Sequence, residues 1–274
     1  MLGKLIKHEF RATGRIMLPL LGLLTLLSVL AGFSAKILDS DVSSGILNFF
    51  SVIFIIGFFL GLFSAMIVAF VLMIQRFYKN LMGDEGYLMM TLPVSTDGHI
   101  FSKLLVSAVW FAATALICCI CMLIMVLTNA QGADFSVFFR GFEGITEYVS
   151  VMNIIGYFLE AIVLFFVGSC AVCLHFYAAI AAGHAFANHK MLLSVVFYFV
   201  ISFLLSAFQM CLAWLADATG LMESFASFMD ATTPAQFTSL LHWGMLGAIL
   251  YGLIIAAVCY LPTRILINKK LNLA

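Results

Sequence analysis

Two short stretches near the start of the chain have residues that could bind phosphate or zinc. A phosphate-binding P-loop needs Gly-x-x-x-x-Gly-Lys-Ser/Thr, whose backbone amides and lysine hold the phosphates, whereas Gly3-Lys4 is an isolated pair. A zinc protease helix needs a second histidine four residues after the first, and His8-Glu9 is followed by Ala12 at that position. These patterns predict neither nucleotide hydrolysis nor metalloprotease activity, so we expect no enzyme, no cofactor and no metal.

A third group, Cys170-x-x-Cys173-x-His175, has a spacing that suits metal binding and places both thiols on one helical face. It lies in an apolar stretch without a second ligand pair. Cysteine in such surroundings usually behaves as a small hydrophobic residue. The packing interpretation is therefore favoured over a metal site.

Glu160 is the one carboxylate that the sequence places inside an apolar run. A charge in hydrocarbon is costly, so Glu160 should face the interior of the protein or water, which makes it a possible pathway residue. It also lies about two turns from the predicted end of its run, where it could reach the membrane boundary instead. His175 lies 15 residues further on, about 22 Å along a helix, so the two side chains should not pair.

The composition fixes the fold class. Hydrophobic residues make up 64% of the chain and charged residues 9%. A helix needs about 20 mostly apolar residues to cross a bilayer, because its backbone polar groups cannot stay unpaired in hydrocarbon. We therefore predict an all-α, polytopic membrane protein forming a single domain over residues 1–274. Its six spans are predicted at 16–33, 47–74, 104–127, 154–182, 191–214 and 244–261.

Basic residues predict the orientation of these spans. Eleven of the 13 Lys and Arg residues fall on the side that holds both termini, and only Lys36 and Arg140 fall on the other side. Cytoplasmic loops carry the excess of Lys and Arg, so both termini are predicted to be cytoplasmic. The net charge of zero gives no indication of nucleic-acid binding. The partner that follows from composition is the lipid bilayer.

Two shorter segments are predicted to lie along the membrane. Residues 1–12 place four apolar side chains on one helical face, which favours an N-terminal interfacial helix over a solvated basic flank. Before the sixth span, an apolar stripe predicts a short amphipathic helix on the outer side. The stripe consists of Leu221, Met222, Phe225, Phe228 and Met229.

Small residues recur at four-residue spacing in two spans, which lets helices approach closely. The stripes are Gly57, Gly61, Ala65 and Ala69 in the second span, and Gly244, Ala248, Gly252 and Ala256 in the sixth. Packing within the chain is the favoured interpretation, and a dimer face is the alternative.

The cytoplasmic loop 75–103 contains the most informative polar sequence. Its Gly83-Asp84-Glu85-Gly86 turn is followed by a Tyr-Leu-Met-Met cluster, and Ser95 or Thr96 can cap the next helix. A plain linker would not expose such an apolar cluster to water. A protein partner is therefore predicted for this loop.

The loop resembles the one after the second span of ABC-2-type permeases, the membrane subunits of bacterial ABC exporters. The shared pattern is Tyr-Lys-Asn-Leu, Asp-Glu-Gly-Tyr-Leu, Thr-Leu-Pro-Val-Ser and Lys103 just before the third span. The opening Lys-x-Glu-Phe-x-Ala-Thr-Gly-Arg at residues 7–15 is similar to this family as well. In topology the resemblance covers the whole chain.

The resemblance implies a multi-pass subunit of the bacterial cell membrane that couples to a separate ABC ATPase subunit, which would hydrolyse the ATP. It also implies dimerisation with a second permease copy or a related permease. The implied contact with the ATPase consists of Asn80, Leu81, Met82, Gly83, Asp84, Glu85, Gly86 and Tyr87. The alternative function is a secondary transporter or channel that uses Glu160 within the membrane.

Overall fold

The computed structural model describes residues 2–38, 40, 44–83, 86, 91, 94–129, 149–186, 188–220, 223 and 234–270. Within these ranges the chain is helical and contains no strand. A π-helical segment at Tyr78–Met82 follows the second helix. The six long helices are α1 (Leu2–Leu38), α2 (Gly45–Phe77), α3 (Thr96–Asn129), α4 (Val151–His184), α5 (Lys190–Ala218) and α6 (Pro234–Lys270).

The six predicted spans correspond one to one with these helices, so the all-α prediction is confirmed for the described residues, as is the number of helices that could span a membrane. Each helix is long and apolar enough to cross a membrane, as expected of a multi-pass membrane protein. Every helix extends beyond its predicted span, because helical structure continues into the polar flanks that a hydropathy window leaves out. The predicted helix around Leu221–Met229 lies outside the described residues, apart from Glu223.

Helix α1 differs from the expectation of a separate N-terminal helix, since it runs without a break from Leu2 to Leu38. Glu9, Thr13, Met17 and Leu21 follow one another at one-turn intervals and are all buried. Because this buried face is continuous, the helix has no break at residue 16, where the first span was predicted to begin. Whether residues 1–12 lie at a membrane interface stays a prediction.

The chain forms two compact units. Unit 1 comprises Met1–Arg76 and His99–Arg140, and unit 2 comprises Phe77–Gly98 and Gly141–Ala274. Unit 1 therefore contains α1, nearly all of α2 and most of α3. Unit 2 contains α4, α5, α6 and the segment that joins α2 to α3. That the two units form a single domain stays a prediction.

In unit 1, α1 and α3 run parallel and α2 runs against them. One apolar cluster joins Met17 and Leu21 to Ala69 and Met73 of α2 and to Trp110 of α3. A second cluster, further along α1, consists of Leu24, Ala31, Phe58, Ala65 and Cys121. From the first cluster to the second, the residue numbers increase in α1 and α3 and decrease in α2. That order is the signature of an up-down-up arrangement.

Polar contacts join α1 to α3 at the start of both helices. Lys103 Nζ donates a hydrogen bond to Glu9 Oε1 over 2.7 Å, and the two side chains are only 3% and 6% exposed. One turn further on, Trp110 Nε1 donates to Thr13 Oγ1 over 2.7 Å. Glu9 and Lys103 both belong to the sequence patterns that carry the family resemblance. They lie 94 residues apart in sequence and pair with each other.

The first small-residue stripe serves packing within unit 1. Ala65 and Ala69 are fully buried, and a Cβ added to Gly61 would lie 3.3 Å from the Leu24 side chain of α1. In the second stripe, a Cβ added to Gly252 would lie 2.8 Å from Val167 of α4, whereas Gly244 has open space beside it. The packing interpretation accounts for these close approaches. A dimer face at either stripe stays a prediction.

In unit 2, α4 and α6 run parallel and α5 runs antiparallel to α4. Tyr157 contacts Thr238, and Val167 meets Gly252, so residue numbers rise together along α4 and α6. By contrast, His175 contacts Ser202 and Gly183 meets Ser194, so they run in opposite directions along α4 and α5. Unit 2 is thus another three-helix, up-down-up arrangement.

The buried ion pair of unit 1 gives a first testable prediction. Lys103→Leu should lower the free energy of unfolding by about 3–5 kcal/mol, because it leaves the Glu9 carboxylate buried without its cation. The double variant Glu9→Leu/Lys103→Leu should recover most of that loss, since it buries no charge. Reversible unfolding of the purified chain in detergent measures both. A double variant that is less stable than either single variant would contradict this account.

Candidate functional site

The segment from Tyr78 to Gly98, here called the coupling segment, joins α2 to α3 and belongs to unit 2. It begins with the π-helical turn Tyr78–Met82, in which Gly83 N donates to Tyr78 O over 3.0 Å. Such turns are rare and are frequently found at functional sites. Asn80, Leu81 and Met82 are buried, with exposed fractions of 6%, 0% and 9%. The segment therefore packs into unit 2 from its first turn.

Gly83 ends the π-helical turn at a point where a side chain has no room. A Cβ at this position would lie 2.9 Å from the backbone oxygen of Lys79. The backbone of Gly83 is extended (φ −92°, ψ −171°), so the chain leaves the helix here. The close approach to Lys79 gives a physical reason for glycine at this position.

Aromatic contacts attach the start of the coupling segment to α4. Phe77, the residue just before the segment, stacks on Tyr177 with ring centroids 3.7 Å apart and planes 6° apart. Both rings are fully buried. Tyr78 meets the ring of His184 edge-on at 5.3 Å, and His184 Nδ1 lies 2.9 Å from Ile180 O. The C-terminal part of α4 thus holds the beginning of the segment.

Polar contacts attach the end of the coupling segment to α6. Asp97 Oδ1 accepts hydrogen bonds from Tyr260 Oη (2.6 Å) and from Arg264 Nε (2.8 Å). One residue earlier, the Thr96 hydroxyl donates to Asn268 Oδ1. Gly98 N donates to Ser95 Oγ over 3.3 Å, which confirms the predicted cap of the third helix by Ser95. The C-terminal part of α6 thus holds the end of the segment.

Five of the eight residues predicted to contact an ATPase fall within the described ranges. Asn80, Leu81, Met82 and Gly86 are buried, and Gly83 is partly exposed. Asp84, Glu85 and Tyr87 lie outside the described residues. The buried members hold the segment in place within this chain. Sequence reasoning did not anticipate that burial, because the turn sequence shows no periodicity that would mark an inward face.

Glu160 has a partner on α6. Its Oε1 lies 2.8 Å from Nδ1 of His242, and the Glu160 side chain is 19% exposed. The other carboxylate oxygen, Oε2, is buried and has no hydrogen-bond partner among the described residues. The pair lies within two helices of membrane-spanning length. As predicted, Glu160 does not pair with His175.

The surroundings of His242 fix its ring. The ring of Tyr157 packs against the imidazole of His242, with centroids 4.3 Å apart. The Tyr157 hydroxyl donates a hydrogen bond to Thr238 O over 2.9 Å. Gly156 leaves space for the imidazole, since a Cβ there would lie 3.2 Å from His242 Cε1. Gly156, Tyr157 and Glu160 of α4 together form the contact surface for this histidine.

The sequence group Cys170-x-x-Cys173-x-His175 has packing contacts in unit 2. His175 Nε2 lies 3.1 Å from Ser202 Oγ on α5, and its ring stacks on Tyr198 at 4.8 Å. Cys173 is buried in the chain. These contacts direct the histidine toward α5, as the packing interpretation expects.

No family model, curated protein or solved structure matches this chain. The functional interpretation therefore depends on the residues and their geometry. Sequence reasoning missed His242, which it placed before the sixth span, and it also missed the contacts of Asp97 with Tyr260 and Arg264. One signal in the sequence could have indicated the Glu160–His242 contact, namely that the two residues lie at similar distances from the starts of their helices. His242 is eight residues into α6, and Glu160 is nine residues into α4.

The aromatic stack gives a prediction for unit 2. Phe77→Ala should lower the free energy of unfolding by about 3–5 kcal/mol, because it leaves a cavity against the buried Tyr177 ring. The matched control is Phe158→Ala on α4, where the side chain is 67% exposed and the change should be below about 0.5 kcal/mol. Unfolding in detergent, read by tryptophan fluorescence, tests both. Equal losses for the two variants would contradict a structural role for the stack.

Proposed function

We propose that this chain is the transmembrane permease subunit of an ATP-driven exporter of the ABC-2 type in a bacterial cell membrane. Its six helices cross the membrane with both termini in the cytoplasm, and the coupling segment docks on a separate ABC ATPase subunit. A second copy of the chain or a related permease completes the transporter. The chain contributes no ATP hydrolysis of its own, because it lacks the phosphate-binding glycines and lysine.

The observation that best supports this proposal is the attachment of the coupling segment at both ends. Its start is held by Tyr177 and His184 of α4, and its end by Tyr260, Arg264 and Asn268 of α6. A plain linker between α2 and α3 would need no such contacts. A segment that transmits the motion of a partner subunit needs such contacts, because the helices move with the segment only if they are attached to it.

Because of these contacts, motion of the coupling segment would reach more helices than the two that it joins. Through its covalent ends the coupling segment acts on α2 and α3, and through its side-chain contacts it acts on α4 and α6. Closure of the ATPase subunits would then change the packing of four helices. Coupling of this kind requires that ATP binding favour one packing over the other.

The alternative is a secondary transporter or channel that uses Glu160. The observation that favours it is the Glu160–His242 pair, since ionisable residues in membrane-spanning helices commonly belong to ion or proton pathways. The two functions differ in their partners. If the exporter proposal is right, an ABC ATPase should co-purify with the tagged protein from its native membrane. If the alternative is right, no ATPase should co-purify.

Orientation is tested by thiol labelling. A cysteine at Ser44, before α2, should react with an impermeant reagent added outside the cell, and a cysteine at Ser95, before α3, should not. Both serines are exposed, so lack of reaction at Ser95 would reflect its side of the membrane. A background without the seven native cysteines is needed, because Cys119 and Cys211 are also exposed. The reverse pattern would contradict the orientation and the docking of the coupling segment.

Coupling is tested by separating docking from transmission. Glu85→Ala and Tyr87→Ala should weaken association with the ATPase, because a few charged and aromatic residues usually dominate an interface, at about 1–4 kcal/mol each. Tyr260→Phe/Arg264→Gln should leave association intact and reduce transport-linked ATP hydrolysis, because it releases Asp97 from α6. Co-purification measures the first effect, and ATP hydrolysis by the reconstituted complex measures the second.

The matched control for transmission is Tyr251→Phe. It also removes one tyrosine hydroxyl from α6, but that hydroxyl bonds Gln209 of α5 over 3.3 Å. Folding should be little affected in either variant, since an exposed ion pair such as Asp97–Arg264 contributes about 0–1 kcal/mol. If Tyr260→Phe/Arg264→Gln behaves like Tyr251→Phe, the contacts of Asp97 with α6 do not transmit the motion.

A further inference from the structure

Glu160 of α4 and His242 of α6 contact each other near the N-terminal ends of both helices. The pair is polar, yet its neighbourhood is apolar: Phe158 and Leu159 flank Glu160, and Leu241 and Trp243 flank His242. A carboxylate in such a place is costly when it is charged and alone. Its state therefore depends on the charge of the histidine.

The carboxylate is only half satisfied. Oε1 contacts His242 at 2.8 Å, whereas the buried Oε2 has no partner in the described part of the chain. Because Oε2 is not accessible, a ligand of molecular size does not reach it in this conformation. The His242 side chain, by contrast, is 30% exposed, so a proton can reach its second ring nitrogen without displacing the contact with Oε1. Histidine is also the side chain that changes charge within about pH 5–8.

One aromatic side chain packs against the imidazole, and one further carboxylate lies at the same level on α5. The ring of Tyr157 lies 4.3 Å from the imidazole, within the distance at which an aromatic ring attracts a cation. Asp217 of α5 lies level with Glu160, as the antiparallel register of α4 and α5 requires, and it is exposed without an ion pair among the described contacts. Tyr157 and Glu160 are thus the titratable groups that contact His242, and Asp217 is the titratable group of α5 at their level.

We propose that Glu160 and His242 form a proton-binding site that controls how tightly α4 packs on α6. With the imidazole neutral, the pair carries one negative charge and a hydrogen bond. When the ring takes up a proton from water at its free nitrogen, the pair becomes an ion pair of zero net charge. The occupied site holds the two helices together more strongly. This inference concerns α4 and α6 alone and is independent of the energy source for transport.

Unit 1 supplies an internal comparison. Its Glu9–Lys103 pair joins α1 to α3 seven residues into both helices, and its cation is a lysine. An unperturbed lysine keeps its charge over the range in which histidine changes, so a lysine at this position removes the histidine-dependent step. Replacing His242 by lysine should give unit 2 the same property.

The test is a double-mutant cycle on the purified full-length chain in nanodiscs. Melting temperatures are measured at about pH 5.5 and pH 8.5 for wild type, Glu160→Gln, His242→Gln and the double variant. The coupling between the two positions should amount to roughly 2–4 °C at the lower pH, the scale of a single favourable interaction in a chain of this size, and it should be smaller at the higher pH, where only the hydrogen bond to the neutral imidazole remains. In His242→Lys the coupling with Glu160 should persist at both pH values.

Two controls separate proton binding from packing. His175→Gln removes another half-buried histidine of unit 2, and Asp217→Asn removes a carboxylate of α5; neither should abolish the pH dependence of the cycle. Proton uptake is followed directly by ¹⁵N NMR of histidine-labelled protein, in which the signal lost in His242→Gln should titrate in wild type and respond to Glu160→Gln. Coupling that is equal at both pH values, or a His242 signal that does not titrate, would overturn the proposal. Failure of an ATPase to co-purify would leave this result unaffected.

Discussion

Pairing of ionisable side chains between parallel helices is the constraint that both units share. In unit 1, Glu9 and Lys103 are each more than nine-tenths buried, and either charge alone would destabilise the packing of α1 on α3. The contact fixes the register of these helices, so Thr13 meets Trp110 one turn further on and Gly32 meets Thr128 near the far end. The apolar clusters with α2 fill the space that this register leaves.

Unit 2 repeats the plan with different chemistry. Its outer helices, α4 and α6, also run parallel, and a glutamate on the first contacts a base on the third. The C-terminal ends of the same two helices hold the coupling segment through Tyr177 and Asp97 contacts. Glu160 and His184 lie 24 residues apart on α4, which is about 36 Å along the helix. The ionisable pair and the coupling segment thus occupy opposite ends of one pair of helices.

The sequence was informative where local pattern decides the structure and uninformative where distant residues meet. Hydropathy predicted the six helices, because each must be apolar over its own length, and a serine with the right neighbours predicted the cap at Ser95. The partners of Glu160 and Lys103 lie 82 and 94 residues away, and no local rule selects them from one sequence. The burial of Asn80–Met82 depends likewise on tertiary packing, which overrides the polar character of the turn.

The distance between Glu9 and Lys103 along the chain has a consequence for biogenesis. When α1 has been synthesised as far as Leu38, another 65 residues (103 − 38) must follow before Lys103, the cation that contacts Glu9 in the folded chain, exists. Until then the first turns of α1 must remain where water or lipid headgroups can solvate the carboxylate. Pairing of this charge with Lys103 therefore waits for the third helix, so unit 1 cannot close around the pair before α3 has been made.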